Sequence, residues 1–199
     1  MSASKPIKAL YIDFDDSFSN NILELFNSID LPLYALNWRC YDVKDLEQYQ
    51  DKIDFVVLGP GPGHINEYRH FLESKINHIL NSKDIKKIGI CLGHQLLLNY
   101  FYSFEIKRST HPIHGRTCTV DFSKLLDKKS SFELQRYNSW HVKPDKKGLA
   151  REVLLFDEHN ELSLFKSDQL LTMQFHPESV GTNLPQELFS EIIQKFVYS

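Results

Sequence analysis

Lys87-Ile88-Gly89-Ile90-Cys91-Leu92-Gly93-His94-Gln95 is the stretch on which the fold turns. Residues 87–90 read as a short buried strand, and Cys91 falls at its sharp end, where the next helix begins. Gly89 and Gly93 stand two residues to either side, the spacing that lets a backbone fold this tightly without Cβ clashes. Unpaired N–H groups at a helix start, with the positive end of the dipole, favour thiolate over thiol. The same turn aims the Leu92 N–H at the space in front of the sulfur. Upstream, the apolar run 54–59 ends in Gly59-Pro60-Gly61-Pro62-Gly63, too rich in Gly and Pro to be strand or helix and therefore a loop. Its bare backbone suits the Gly61 N–H as a second oxyanion donor. Taken alone, G-x-C-x-G fits a small buried hydrophobe, the usual fate of a free cysteine, as well as it fits a nucleophile.

Working outward, the first two-thirds of the chain alternates β-rich and helical runs, as a parallel sheet with helical crossovers requires. Residues 8–14 read as a buried strand. After Asp15-Asp16-Ser17, the residues Phe18, Ile22, Leu25 and Phe26 fall at helical spacing. A second strand over 31–38 leads through a short helix near Val43 to Tyr49 into the run 54–59. A helix over 67–80 returns the chain to the cysteine strand. Two loops at the carboxyl ends of neighbouring strands mark where an open α/β sheet places its site. From about Phe104 the pattern becomes shorter antiparallel strands and hairpins, including 151–157 with 161–166 around Glu158-His159-Asn160. A strand over 170–175 follows, and Pro185 opens a final amphipathic helix carrying Leu188, Phe189, Ile192, Ile193 and Phe196.

Composition narrows the function classes. The 199 residues suffice for one domain over 1–199, and 42% hydrophobic residues, 25% charged and a net charge of −3 are ordinary for a soluble globular protein. Lys86-Lys87, Lys128-Lys129 and Lys146-Lys147 are isolated pairs, expected in solvated loops, so no nucleic-acid partner is implied. The apolar runs are strand-sized and no membrane association is expected. Met1-Ser2-Ala3-Ser4-Lys5-Pro6 lacks the apolar stretch of a secretory signal, and the expected location is cytoplasmic. Cys40, Cys91 and Cys118 form no C-x-x-C pair, which favours reduced thiols over disulfides or structural zinc.

Of nine histidines, His64, His70, His78 and His159 are expected in loops or on helix faces without a chemical role. His111 and His114 are separated by Pro112 and do not make a helical chelating pair, so no metal site is expected. His176 differs. It follows an apolar strand in Gln174-Phe175-His176-Pro177-Glu178-Ser179, with Glu178 placed to accept from its second ring nitrogen. A surface H-P-E would explain this segment alone; together with the cysteine turn it has the layout of a nucleophile, its base and the base's orienter.

Phe14-Asp15-Asp16-Ser17-Phe18-Ser19-Asn20-Asn21, Gly59 to Gly63, Gly89 to Gln95, Arg136-Tyr137-Asn138-Ser139 and Gln174 to Ser179 occur in this order across nearly the whole chain. This resembles the class I (triad) glutamine amidotransferases, in particular the small subunits of anthranilate synthase and aminodeoxychorismate synthase, from whose relatives the D-S-F-x-x-N segment separates it. The resemblance implies a flavodoxin-like α/β fold: an open, mostly parallel sheet flanked by helices, with a smaller antiparallel sheet. It implies that Cys91 attacks the side-chain amide of L-glutamine, that His176 serves as base and acid, and that Glu178 orients His176. Glutamine would be held by Gly61, Pro62, Gly63, Leu92, Gln95, Ser139 and Trp140. His114-Gly115-Arg116 matches a segment read as support for the site or for a subunit interface. No cofactor is implied in this subunit, magnesium being expected only in the partner, a chorismate-binding synthase large subunit that forms a heterodimer with this chain in folate or tryptophan synthesis. A triad enzyme serving another acceptor, and a non-catalytic module of the same fold, are the alternatives. The chain departs from the family pattern at Gly59, where serine is common, and at Asn138 and Trp140, where histidine and leucine are usual.

Overall fold

Short apolar runs build the main sheet, its inner strands buried on both faces and its two edge strands only partly covered. The computed structural model describes residues 8–40, 53–126, 130–145, 147 and 149–199; the helix expected near Val43 to Tyr49 lies outside them. The first strands are β1 (Ala9–Asp13), β2 (Leu33–Asn37), β3 (Phe55–Leu58) and β4 (Lys86–Ile90). With β7 (Val153–Phe156), β8 (Leu162–Lys166) and β9 (Leu170–Met173) they form a seven-stranded sheet of order β2-β1-β3-β4-β9-β8-β7. The neighbours from β2 through to β9 pair in parallel, whereas β8 and β7 add antiparallel strands at one edge. Alternate residues serve opposite faces, as period-two pleating demands. Tyr11, Phe55, Val57, Ile88 and Met173 join one core cluster, and Leu10, Ile12, Val56 and Leu58 join the other.

Helices α1 (Ser19–Asn27) and α5 (Gln186–Val197) cover the first face through Ile22 and Phe26, and through Leu188, Phe189, Ile192, Ile193 and Phe196. Helices α2 (Arg69–Ser74), α3 (Asn77–Asn81) and α4 (Leu92–Tyr102) cover the second. The single helix expected over 67–80 is in fact broken: a 3-10 turn, Ile65–Glu67, precedes α2, and the chain kinks again before α3. The Ser74 hydroxyl donates to the His70 carbonyl at 2.5 Å, and the Ile76 N–H reaches back to Phe71. Hydroxyl competition of this kind bends helices. Lys86-Lys87 is not in a solvated loop either. It opens β4, and Lys87 is buried with Nζ donating to the Ser82 carbonyl; burial pushes its pKa down to about 8.

The second sheet is a two-stranded antiparallel ribbon of β5 (Glu105–Asp121) and β6 (Ser131–Lys143), far longer than the short strands expected there. Its register shifts twice, between Arg108 and Ile113 and between His114 and Arg116. Pro112, which cannot donate to a ladder, and Gly115, at φ +70°, fall in those shifts. The expected 151–157 and 161–166 hairpin is present as β7 and β8, but it extends the main sheet.

Candidate active site

Four loops converge because the register aligns the carboxyl ends of their strands. Ile12 pairs with Leu58, Leu58 with Gly89, and Ile90 with Met173. The segments after β1, β3, β4 and β9 therefore meet at one edge, where open α/β sheets bind ligands.

Cys91 caps α4 at φ 52° and ψ −100°, outside the regions an L-residue ordinarily occupies. Such backbone costs about 1–3 kcal/mol and persists only where its surroundings enforce it. Here the Cys91 N–H donates to the Met173 carbonyl at 2.9 Å, and the Gly93 N–H to the Gly59 carbonyl at 3.2 Å. The glycines are needed for space. A Cβ on Gly93 would collide with the Leu58 carbonyl, and one on Gly89 would lie 2.6 Å from the Gly93 oxygen. Leu92 N–H, first in the helix, has no intrahelical acceptor. Gly61 is pressed against the same helix start: a Cβ there would lie 2.7 Å from Leu92 Cδ2.

His176 is buried between aromatic rings, with Phe18 at 5.4 Å and Tyr137 at 5.0 Å between centroids, both edge to face. Its Nδ1 meets Glu178 Oε1 at 2.6 Å, and both side chains are almost wholly buried. Burial pulls the imidazolium pKa down, but a Cys91 thiolate beside it and the Glu178 carboxylate outweigh this and raise it to about 10. Nε2 makes no aligned hydrogen bond; contacts between a base and its nucleophile commonly tighten only when substrate is bound. Gln135 locks the loop carrying the base: its carbonyl accepts from His176 N–H at 2.9 Å and its Oε1 from Gly181 N–H at 2.9 Å.

Beside the cysteine opens a cleft of ≈ 440 Å³ lined by Gly61, Pro62, Gly63, Cys91, Leu92, Gln95, Ser139 and Trp140, together with His64, Glu67, His114, Tyr137 and Asn138. Its volume falls within the range of small-molecule sites. The glycine loop is anchored by Tyr68, whose hydroxyl donates to the Pro62 carbonyl at 2.8 Å, and by Glu67, which accepts from His64 N–H at 2.8 Å. Among the described residues no cluster of three or more His, Cys, Asp or Glu is placed to hold a metal ion. A strained thiol at a helix start, an imidazole held by a carboxylate, and backbone N–H groups beside a cleft suit acyl transfer through a thioester.

Comparison with known proteins identifies the family. The family model described as glutamine amidotransferase class-I matches residues 10–195. The chain belongs to that family. Anthranilate synthase component 2 of Cyanidium caldarium is 30% identical, the match covering 91% of this chain and 97% of that protein. The aminodeoxychorismate/anthranilate synthase component 2 of Bacillus subtilis is 27% identical, covering 94% and 96%. Among solved structures, a glutamine amidotransferase from Thermotoga maritima superimposes with a TM-score of 0.72 at 17% identity, covering 98% of this chain and 100% of that one. At that identity the likeness supports the fold alone.

In this amidotransferase all seven residues expected to hold glutamine line this cleft, and the side chains of His176 and Glu178 lie buried outside its lining. The family departures have local reasons. At Gly59 a Cβ would collide with the Tyr11 hydroxyl. Trp140 contributes a carbonyl to the network around Gln95, while its ring packs edge to face on His64 at 4.6 Å. His64, expected in a loop without a chemical role, lines the cleft directly after Gly63. Arg136, Asn138 and Gln174 lie within segments that carry the resemblance, but no role at the site is expected of their side chains from sequence. Asn138 Nδ2 donates to the Trp140 carbonyl at 3.0 Å, and Arg136 Nε to Asn138 Oδ1 at 2.9 Å. His94, inside the cysteine motif, is fully buried against Thr172 Oγ1 at 2.9 Å; burial, aided by Arg136, pushes its pKa down to about 3, and it stays neutral.

Proposed function

We propose that this chain is the glutamine-hydrolysing subunit of a chorismate-using synthase and works through Cys91, His176 and Glu178. The observation that carries the reading is the strained Cys91 turn opening on the cleft beside a His176 whose Nδ1 is held by Glu178. Cys91 sulfur attacks the side-chain amide carbon of L-glutamine, and the oxyanion that forms is held by the N–H groups of Leu92 and Gly61. His176, charged at neutral pH, gives its proton to the departing nitrogen, and ammonia leaves. The γ-glutamyl thioester is then cleaved by water, which His176 deprotonates, returning glutamate and the free thiolate. Gln95 and the Ser139-Trp140 backbone hold the amino and carboxylate groups of the substrate.

The relatives named as components of anthranilate and aminodeoxychorismate synthases support a synthase chain as partner. Free ammonia at neutral pH is mostly ammonium and a poor nucleophile, so hydrolysis is useful when the product passes directly to that partner. Glutaminase activity of the isolated chain is accordingly low. The test is co-expression with a chorismate-binding synthase subunit from the same genome, supplied with chorismate and glutamine, with Cys91→Ala as control. Glutamine-dependent anthranilate or aminodeoxychorismate, absent from the control, supports the proposal and assigns the pathway. Neither product alongside continued conversion of glutamine to glutamate would overturn the chorismate assignment; no conversion at all would overturn the triad.

A further inference from the structure

Gln174 is fully buried at the end of β9, two residues before His176, and neither attacks, protonates nor orients anything in the reaction proposed for the triad. Its surroundings fix the direction of its amide. Gln95 Nε2 donates to two acceptors, the Trp140 carbonyl at 2.8 Å and Gln174 Oε1 at 3.0 Å. The oxygen of Gln174 is thereby committed, and its nitrogen, a donor only, points at Cys91 Sγ from 3.7 Å. The other end of the chain is equally determined. Arg136 can only donate; it does so to Asn138 Oδ1, which turns Asn138 Nδ2 toward the same Trp140 carbonyl. The hydrogen bonds from the buried guanidinium to the sulfur therefore share one consistent orientation.

We propose that Gln174 is a further catalytic residue, which donates its amide N–H to the Cys91 sulfur and thereby favours the thiolate, with Gln95 as the positioning residue that holds the amide in that orientation. The proposal deepens the glutaminase reading and rests on it for the word catalytic; the hydrogen bond itself stands on geometry. A donor buried beside a sulfur stabilises the anion more than the thiol, and the bond weakens when sulfur gives up its charge to the acyl group. The same contact can then re-form when the thioester is hydrolysed.

The test reads the pH dependence of Cys91 alkylation by iodoacetamide in a full-length Cys40→Ala background, which removes the exposed thiol; Cys118 is buried and silent. Two variants are compared, Gln174→Leu, which deletes the donor, and Gln174→Glu, which keeps the shape and the acceptor for Gln95 but faces the sulfur with oxygen. Loss of one hydrogen bond to a charged group predicts a rise of about one pH unit in the alkylation midpoint for Gln174→Leu and on the order of a tenfold fall in glutamine turnover by the assembled synthase. Gln174→Glu shifts the midpoint further in the same direction. Gln95→Leu, which frees the amide to turn, gives a smaller shift. A folded variant of either kind at Gln174 with the parent midpoint overturns the proposal. So does failure of both to fold, which would make the amide purely structural. If the midpoint shifts but the parent chain never hydrolyses glutamine with any synthase partner, the bond stands and the glutaminase reading falls; if turnover is normal and the midpoint does not move, only the bond falls.

Discussion

Arg136→Met removes the cation from a buried cluster and should be among the most damaging single substitutions in the chain. Arg136 is fully buried on β6, with Nη1 paired to Asp157, Nη2 2.7 Å from Glu161 Oε2, and Nε on Asn138. Burial opposes its charge, but the two carboxylates outweigh burial and raise its pKa. The carboxylates are otherwise built in: Asp157 Oδ1 accepts from the N–H groups of His159 and Glu161, and Glu161 Oε1 accepts from Ser109. Methionine fills a similar volume and leaves two neighbouring buried carboxylates without a counter-charge. Breaking a buried ion pair from one side costs about 3–5 kcal/mol. In a chain of this size each kcal/mol moves Tm by about 2–4 °C, so a fall of about 6–20 °C is expected. Urea unfolding of the parent, of Arg136→Met and of the triple variant Arg136→Met/Asp157→Asn/Glu161→Gln measures the free-energy loss, and thermal unfolding of the same three measures the shift in Tm. Neutralising all three groups should restore most of the loss, because the deficit lies in stranded charge. A single variant within about 1 kcal/mol of the parent, or a triple variant no better than the single, refutes the reasoning.

Three further outcomes follow from the site. His176 should titrate near pH 10 in ring-nitrogen NMR spectra, and Cys91→Ala should lower that pKa more than Glu178→Gln, because the sulfur is the larger of the two raising influences; equal values in all three proteins would contradict this. Gly93→Ala forces a methyl into the Leu58 carbonyl, at an overpacking cost of about 1–3 kcal/mol, and should abolish labelling of Cys91 by a diazoketone analogue of glutamine while the chain stays folded by circular dichroism. Burial pushes the Cys118 thiol up to about 12, so mass spectrometry of the folded chain treated with iodoacetamide at pH 7.5 should find Cys40 modified and Cys118 intact, and Cys118 should react only after unfolding.

How much of this is legible in the sequence depends on how far each signal reaches along the chain. The Cys91 turn is legible because it is local: two glycines, a buried strand before it and a helix after it lie within a few residues. An open parallel sheet is inferable, since parallel neighbours require crossovers and the β-rich and helical runs alternate accordingly. His176 and Glu178 stand out through position after an apolar strand. The long ribbon does not, because β5 has mostly exposed polar residues along its length and lacks the alternation that advertises a half-buried strand. Nor does the break between α2 and α3, which depends on where the Ser74 hydroxyl turns. The contacts of Gln174 and Asn138 are illegible for a different reason. Gln174 bonds residues 79 and 83 positions away in the chain, and a buried amide in a strand carries no local mark of what it will meet.

The ribbon strand β6 ties these features together. Alternate residues Leu134, Arg136, Asn138 and Val142 are buried, whereas Gln135, Tyr137 and Ser139 are only partly covered. The buried set carries charge compensation to Asp157 and Glu161 and orients the Trp140 carbonyl toward Gln95. The intervening set acts on the other components: Gln135 locks the loop of the base, Tyr137 packs on His176, and Ser139 Oγ pairs with His114 Nε2 at 2.9 Å. A one-residue slip of this strand would exchange the two sets, placing Tyr137 where the guanidinium network requires an amide and exposing Arg136. The register shifts around Pro112 and Gly115 sit opposite this stretch, where a bulge fixes the pairing that keeps each set on its own side. The base, the nucleophile's amide neighbour and the substrate cleft thus depend on a single strand register, and a substitution that moved it would disturb all three together while leaving the parallel sheet intact.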